Sequence, residues 1–203
     1  RAQAIDGTMS LDKETNDLLQ GKPITRIGAA MAESRDVIPS PYLLGLLDEF
    51  LDGSYIPALE TQRGCPFECT FCDQGLDSTR MAGFSSERLC DELDYLADKL
   101  AETPGARALA FHDSNWGMYK GDYQIAEHLK TIMDESDWPQ SIEISTPKNR
   151  KDRVLAINDL LKNRVAIGLS QQSMNLGTLE EIKRTNYTNE EYIRFVHELQ
   201  VLG

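Results

Sequence analysis

Residues 63–75 read RGCPFECTFCDQG and place Cys65, Cys69 and Cys72, three of the chain's four cysteines, within eight residues. Buried cysteines that serve as small apolar fillers do not gather in loops, so this crowding asks for a chemical reason. A disulfide scaffold is not that reason. Four cysteines in 203 residues are too few for one, and crowded thiols suit a metal site in a reducing cytosol. Three chemistries compete for the triplet. Structural zinc takes four closed ligands, usually paired cysteines or cysteine with histidine, whereas this loop holds three cysteines and no histidine. Reactive thiol chemistry more often shows a lone CxxC. Iron–sulfur ligation fits better, because thiolates are its usual ligands. Three of them would hold three irons of a four-iron cluster and leave the fourth open. A zinc-stabilised module, or an iron–sulfur module that only carries electrons, stays open as an alternative at this point.

The rest of the loop suits a bulky group. Gly64 and Gly75 bracket it and allow a tight path, and Pro66 stiffens it. Arg63 either faces an anionic cluster or forms a surface salt bridge. Cys90 lies beside the apolar face of a helix and is expected to pack there rather than to ligate.

Outward from the loop, the chain alternates. Strands are expected over 55–61, 107–111, 141–145 and 165–169. Helices are expected over 85–102, 121–133, 150–161, 176–184 and 189–202. The first helix carries Leu89, Leu93, Leu96 and Leu100 on one face, with Ser85 as its cap. The second turns Ala126, Leu129, Ile132 and Met133 inward, and the third Val154, Ile157, Leu160 and Leu161. Gly203 is a natural helix stop. Strand followed by helix, four times over, predicts right-handed βαβ units on a parallel sheet, with sites collecting at the C-terminal ends of the strands. The fold class is therefore α/β, a partial (β/α) barrel made of its first four βα units, over 54–203. Residues 1–53 form a lead-in segment of mostly irregular structure, with a short helix over 42–50 begun by Ser40-Pro41. The chain begins without Met and stops where a fifth strand is due, so flanking segments of a larger barrel are expected on both sides.

The spacing C-x3-C-x2-C, with aromatic Phe71 just before the last cysteine and the whole placed after the first strand of a βα series, resembles the signature of the radical SAM superfamily. The resemblance covers most of residues 38–203. It implies a [4Fe-4S] cluster on Cys65, Cys69 and Cys72 whose open iron is chelated by the amino and carboxylate groups of S-adenosylmethionine (SAM). Reductive cleavage then gives methionine and a 5′-deoxyadenosyl radical that abstracts hydrogen from substrate. The chemistry belongs to the cofactor, and the protein supplies placement and exclusion of water. Phe71 would shield one side of the cluster and bring its backbone near the adenine.

The segment IPSPYLLGLLDEF ahead of IPALETQRGCPFECTFC resembles the lead-in of radical SAM proteins with an upstream cobalamin domain. FHDSNWG, after the second strand, departs from the common GGE form and looks like the D-x-N-aromatic variant of that branch, which places Asp113 and Asn115 near SAM. An Asx turn would also account for those two residues. The third strand ends in ISTPKN, where Ser145 and Thr146 face the SAM end of the barrel and Lys148 could counter a carboxylate. GLSQQSMNLGTLEEIKRTN resembles the segment after the fourth strand, with Ser170, Gln172 and Ser173 toward the ribose and carboxylate of SAM. Arg184 resembles a residue that pairs with the SAM carboxylate, for which a guanidinium is well shaped. A helix C-terminal charge is its other reading. His128 and His197 fit helix surfaces, and His112 sits beside Asp113 at a strand end. Trp116, Met118 and Tyr119 either wall the substrate space or pack. No D-x-H-x-x-G motif occurs, so cobalamin, and with it methylation of an unactivated carbon, rests on the resemblance alone and on a domain upstream of residue 1.

Charge and hydropathy bound the partners. Formal net charge is −12 and no basic cluster of useful size appears, which disfavours nucleic acid or an anionic membrane as partner. No stretch of about 18 apolar residues occurs, so no transmembrane helix is expected. Crowded thiols suit the cytoplasm, and the resemblance implies an enzyme supplied with electrons by a donor such as flavodoxin or ferredoxin, acting on a small-molecule or peptide substrate that the sequence does not name.

Overall fold

The computed structural model describes residues 35–74 and 81–202, the side chain of Leu202 excepted. Residues 1–34 of the expected irregular lead-in, the loop-closing Gly75 and the helix-stopping Gly203 lie outside the described residues.

Four strands form one parallel sheet in the order β1 (Ala58–Leu59), β4 (Ala108–Phe111), β5 (Ser141–Ile144) and β6 (Val165–Ala166). Ala58 pairs with Ala110, Phe111 with Ile144, and Ile142 with Val165. Each strand leads to a helix: α1 (Ser86–Leu100), α2 (Lys120–Ser136), α3 (Lys151–Leu160) and α4 (Leu176–Glu181), with α5 (Asn189–Leu202) last. This is the alternation of the first units of a (β/α) barrel. β4 reads as an uninterrupted apolar run because its Leu109, Ala110 and Phe111 are all buried between neighbouring strands and helices.

Helix α1 forms where its leucines recur on one stripe. Leu89, Leu93, Leu96 and Leu100 are all buried, and the Ser85 hydroxyl accepts from the Arg88 amide at 3.3 Å, capping the first turn. On α2, Ile125, Ala126, Leu129, Ile132 and Met133 are buried. The Asp122 carboxylate accepts from the amides of Gly117 and Tyr119 at 2.8 and 2.9 Å, which starts the helix at Lys120. Asp137, in the left-handed region at φ 58°, ends it. Val154, Ile157 and Leu161 close the core from α3 and its end.

Several elements differ from expectation, among them β6, which ends at Ala166 rather than at 169. The first strand is shorter than 55–61, because the Thr61 amide leaves the ladder for the Asp113 carboxylate. After that break, β2 (Gln62–Arg63) pairs antiparallel with β3 (Ala82–Gly83), a two-stranded ribbon that no apolar alternation announces. The helix expected over 42–50 is a run of turns with a 3-10 turn at Asp48–Phe50, and Gly45 at φ 67° interrupts it. Helix α4 ends at Glu181 rather than at 184, and Lys183 follows at φ 50°.

The lead-in lies against the barrel. The Tyr42 hydroxyl accepts from Ala58 N at 3.1 Å and donates to Ala58 O at 2.9 Å. Asp48 takes Lys99 and Tyr95 of α1, and the Ser85 amide donates to Asp36 at 3.0 Å. No helix of the described residues is long and apolar enough to cross a membrane.

Candidate functional site

The cysteine loop and the C-terminal ends of β4, β5 and β6 open on one cavity of about 480 Å³, within the range of small-molecule sites. Cys65, Cys69 and Cys72 line it from the loop after β2. Asn115 comes from the end of β4; Ser145, Thr146 and Lys148 from the end of β5; Ser170 and Gln172 from the end of β6. Arg184 reaches it from beyond α4.

The cysteine loop is shaped by its backbone and by its neighbours. Gly64, buried and at φ 95°, turns the chain out of β2 in a conformation that a side chain would strain. The Cys72 amide donates to Cys69 O at 3.0 Å, and the Thr70 amide donates to Ile182 O at 3.0 Å, tying the loop to the end of α4. Cys69 is buried, Cys65 and Cys72 are half-buried, and none of them forms a disulfide. Two nitrogens address the sulfurs. Asn115 Nδ2 lies 3.2 Å from Cys65 Sγ, and Lys148 Nζ lies 3.0 Å from Cys69 Sγ. Among the described residues no group of three or more His, Cys, Asp or Glu is drawn together to hold a metal ion as it stands. The fit to a cluster therefore rests on the shared cavity and the thiol donor set. Three soft sulfur donors facing one roomy, partly polar cavity suit a cluster that keeps an open iron.

Arg63 does not turn toward the loop's sulfurs. Its guanidinium pairs with Glu60 through two nitrogens, at 2.6 and 2.8 Å to Oε2, and this pair is largely exposed. Phe71 is also exposed, 53%, at the rim of the cavity.

Asp113 and Asn115 part company. Asn115, 4% exposed, lines the cavity, whereas Asp113, 3% exposed, does not. The Asp113 carboxylate accepts from the Thr61 amide at 2.6 Å and from the Thr61 hydroxyl. Burial pushes its pKa up to about 6, against the opposing pull of the Thr61 hydrogen bonds. Tyr119, half-buried behind them, has its hydroxyl pushed up to about 12 by burial and by the negative charge of Cys65, Asp122 and Asp113. It points at Met81 Sδ, 3.1 Å away. Trp116 stacks on Phe111 with centroids 4.4 Å apart and, like Met118, is buried in packing. His112 and His197 are exposed, and His128 meets Asp94 at 2.7 Å on the surface.

The loop after β6 is held by a clamp that sequence reading missed. The Ser173 amide donates to Gln171 O at 2.6 Å, closing a three-residue turn around Gln172, whose φ is 59°. Such turns are strained in residues other than glycine and collect at functional sites. Gln172 thereby lines the cavity, while Ser173, accepting from the Asn175 amide at 3.1 Å, does not. Arg184 donates to Asn186 Oδ1 at 2.7 Å and to Ser170 O, and Asn186 donates to Gln171 O. Gln171 Nε2, from its side-chain amide, closes the ring by donating to Tyr187 O at 3.0 Å. Arg184 is thus no helix-end charge. It is 8% exposed and braces the β6 loop from beyond α4. Gln171, Asn186, Ser114, Gln74 and Gly168 belong to the site or its support without a sequence signal stronger than ordinary loop composition.

Residues 59–203 match the model of the radical SAM superfamily. The chain belongs to that superfamily. Membership implies a [4Fe-4S] cluster and SAM, in preference to zinc or to electron transfer without SAM. The chain is 33% identical to 2-(S-pantetheinyl)-carbapenam-3-carboxylate methyltransferase of Streptantibioticus cattleyicolor over 191 residues, 87% of this chain and 26% of that protein. It is 35% identical to the cobalamin-dependent radical SAM methyltransferase TokK of Streptomyces tokunonensis over 167 residues, 76% of this chain and 23% of that one. The fold also matches the cobalamin-dependent SAM radical enzyme OxsB, solved with aqua-cobalamin and SAM, at a TM-score of 0.54 and 17% identity, covering 92% of this chain and 30% of OxsB. The radical SAM chain thus spans about a quarter of the length of the curated relatives it matches.

Proposed function

We propose that this radical SAM chain is the N-terminal part, residues 54–203, of the catalytic barrel of a cobalamin-dependent methyltransferase. The observation that carries the reading is the convergence of Cys65, Cys69 and Cys72 with Asn115, Ser145, Ser170, Gln172 and Arg184 on one cavity at the C-terminal ends of the strands. Cys65, Cys69 and Cys72 hold the cluster. When bound, cluster and SAM supply a 5′-deoxyadenosyl radical, and cobalamin on an upstream domain supplies a methyl carrier.

The chain's own residues bind and orient. Ser145, Ser170 and Gln172 offer hydroxyl and amide groups to the ribose and amino-acid ends of SAM. Arg184 fixes the loop that presents them and adds positive charge on the side where a carboxylate would lie. Phe71, at the rim, offers its ring and backbone to the adenine and narrows the access of water. Asp113 ties the end of β4 to Thr61 rather than touching SAM. The substrate is a small molecule or peptide, electrons come from a cytosolic donor of the flavodoxin or ferredoxin type, and the enzyme works in the cytoplasm.

Anaerobic reconstitution with iron and sulfide tests the reading. The wild-type chain is expected to take up about four irons, the complement of a [4Fe-4S] centre, to turn brown, and to retain SAM in equilibrium dialysis. Cys72→Ala is expected to lose both. A wild-type chain that stays colourless, or a C72A variant that keeps the cluster, overturns it.

A further inference from the structure

Lys148 is placed by two contacts that have nothing to do with a carboxylate. Its ammonium lies 3.0 Å from Cys69 Sγ and sits over the Phe67 ring, 4.5 Å from the centroid. Phe67 lies inside the cysteine loop, between Cys65 and Cys69, whereas Lys148 comes from the end of β5. The ring face attracts the cation, and the sulfur accepts a hydrogen bond from one of its three N–H groups. The ammonium is therefore docked onto the loop from a neighbouring strand. Asn115, from the end of β4, makes the equivalent uncharged contact to Cys65 at 3.2 Å.

We infer that Lys148 is a positioning residue of the cluster, a charged donor to the Cys69 thiolate that raises the reduction potential of the [4Fe-4S] centre. The inference rests on the radical SAM reading. Reduction takes one electron from an external one-electron reductant into the cluster and leaves every thiolate–iron bond in place, so an already anionic group gains one negative charge. A fixed positive charge at hydrogen-bond distance from one ligand sulfur stabilises the reduced form more than the oxidised one. Hydrogen bonds to the sulfurs and net charge are established levers on such potentials, and a charge-assisted bond is about twice as strong as a neutral one. The ammonium also shares the cavity with Ser145 and Ser170, where it disfavours a cationic ligand group lying against Cys69.

The test is a reductive titration of the anaerobically reconstituted protein, followed by electron paramagnetic resonance of the reduced cluster. Dithionite and deazaflavin serve as reductants, without SAM or substrate. Lys148→Gln is expected to load iron as the wild type does, since all three cysteines remain, and to lower the midpoint. The expected change is roughly tenfold in the reduction equilibrium, about 59 mV for one electron. Lys148→Arg, which keeps the charge, is expected to stay within a third of that change. Should K148Q fail to load, Lys148→Met and K148R are compared in the same way, because a merely structural loss would not sort by charge. A cluster-loaded K148Q or K148M with the wild-type midpoint overturns the inference. So does a variant whose midpoint is unchanged while its retention of SAM in a separate equilibrium dialysis falls, which would make Lys148 a SAM ligand. A wild-type chain that takes up no cluster defeats the radical SAM reading instead, so the two failures are told apart.

Discussion

Thr61 and Asp113 meet where β1 and β4 end, and one carboxylate receives both the amide and the hydroxyl of the threonine. The contact stops β1 after Leu59, frees Gln62 and Arg63 to pair with β3, and turns Asp113 away from the cavity that Asn115 lines two residues later. One side chain thus separates a structural from a site position within the motif Asp113-Ser-Asn115.

That burial has a pH signature. The folded Asp113 titrates near 6, above the usual 3.8, so the native state favours the protonated form. Its contribution to stability is fully present below the unfolded value and is lost as pH rises through about 6. The shift corresponds to roughly 3 kcal/mol at about 1.4 kcal/mol per unit. Asp113→Asn keeps an acceptor for the Thr61 amide and offers a donor to its hydroxyl, but does not titrate. Between pH 7 and pH 4 the wild type is expected to gain stability relative to D113N. Urea midpoints measured across that range decide the matter, and parallel profiles would refute it. Asp122, also raised by burial, is common to both proteins, and its own titration cancels apart from its repulsion of Asp113, the smallest of the causes acting on that carboxyl.

Much of the frame was legible in the sequence because it follows from repeating apolar positions. The leucine stripe of α1, the apolar run of β4 and the order of strands and helices all express burial that a period reveals. The cysteine loop was legible for a different reason, since three thiols at close spacing have few other uses. What stayed hidden depends on contacts distant in sequence. Nothing near Asp113 tells that Thr61 will claim it. Lys183, in the left-handed region at φ 50°, ends the helical path that the pattern carried to Arg184, and only the folded chain shows Arg184 gripping Ser170 and Asn186. Lys148 reads as a charge in the sequence, but its partner, Cys69, lies 79 residues away.

Cys90 is expected to be silent in cluster loading. It packs half-buried against the core, and burial, then the charges of Asp94 and Asp91, raise its thiol pKa. A thiol held protonated is a poor ligand and a slow nucleophile. Cys90→Ala should therefore take up as much iron as the wild type. In the metal-free protein Cys90 should alkylate more slowly than a free cysteine in peptide. A C90A variant with half the iron would show that it ligates.

The junction of the lead-in and the barrel turns on Tyr42. Its hydroxyl satisfies both backbone groups of Ala58, which stands at the start of β1 on the edge of the sheet. Tyr42→Phe keeps the ring in the core and removes only that bridge, leaving a donor and an acceptor to find water. The expected loss is about 1–3 kcal/mol, seen as a lower urea midpoint, with faster hydrogen exchange at the Ala58 amide. An unchanged midpoint would mean that the segment over 35–53 adds no stability through this contact.

Arg184 offers the sharpest separation of shape from charge. Its Nε holds Asn186 while a terminal nitrogen holds Ser170 O, and Asn186 in turn holds Gln171 O. The three-residue turn that presents Gln172 to the cavity hangs on these bonds. Lysine at this position would keep the positive charge, but a single ammonium on a flexible stem does not reproduce a planar fork with donors on two sides. Arg184→Lys is expected to destabilise the chain by about 1–3 kcal/mol through the unpaired Ser170 carbonyl or Asn186 amide, and to weaken SAM binding about tenfold while cluster loading stays at the wild-type level. Equilibrium dialysis with SAM on reconstituted protein, beside iron analysis of the same samples, measures both quantities. If charge alone recruits the SAM carboxylate, R184K will bind SAM as the wild type does, and the clamp is then irrelevant to the ligand. If SAM binding falls in R184K as far as in Arg184→Gln, the geometry of the fork decides affinity, as the bonding around Ser170 predicts.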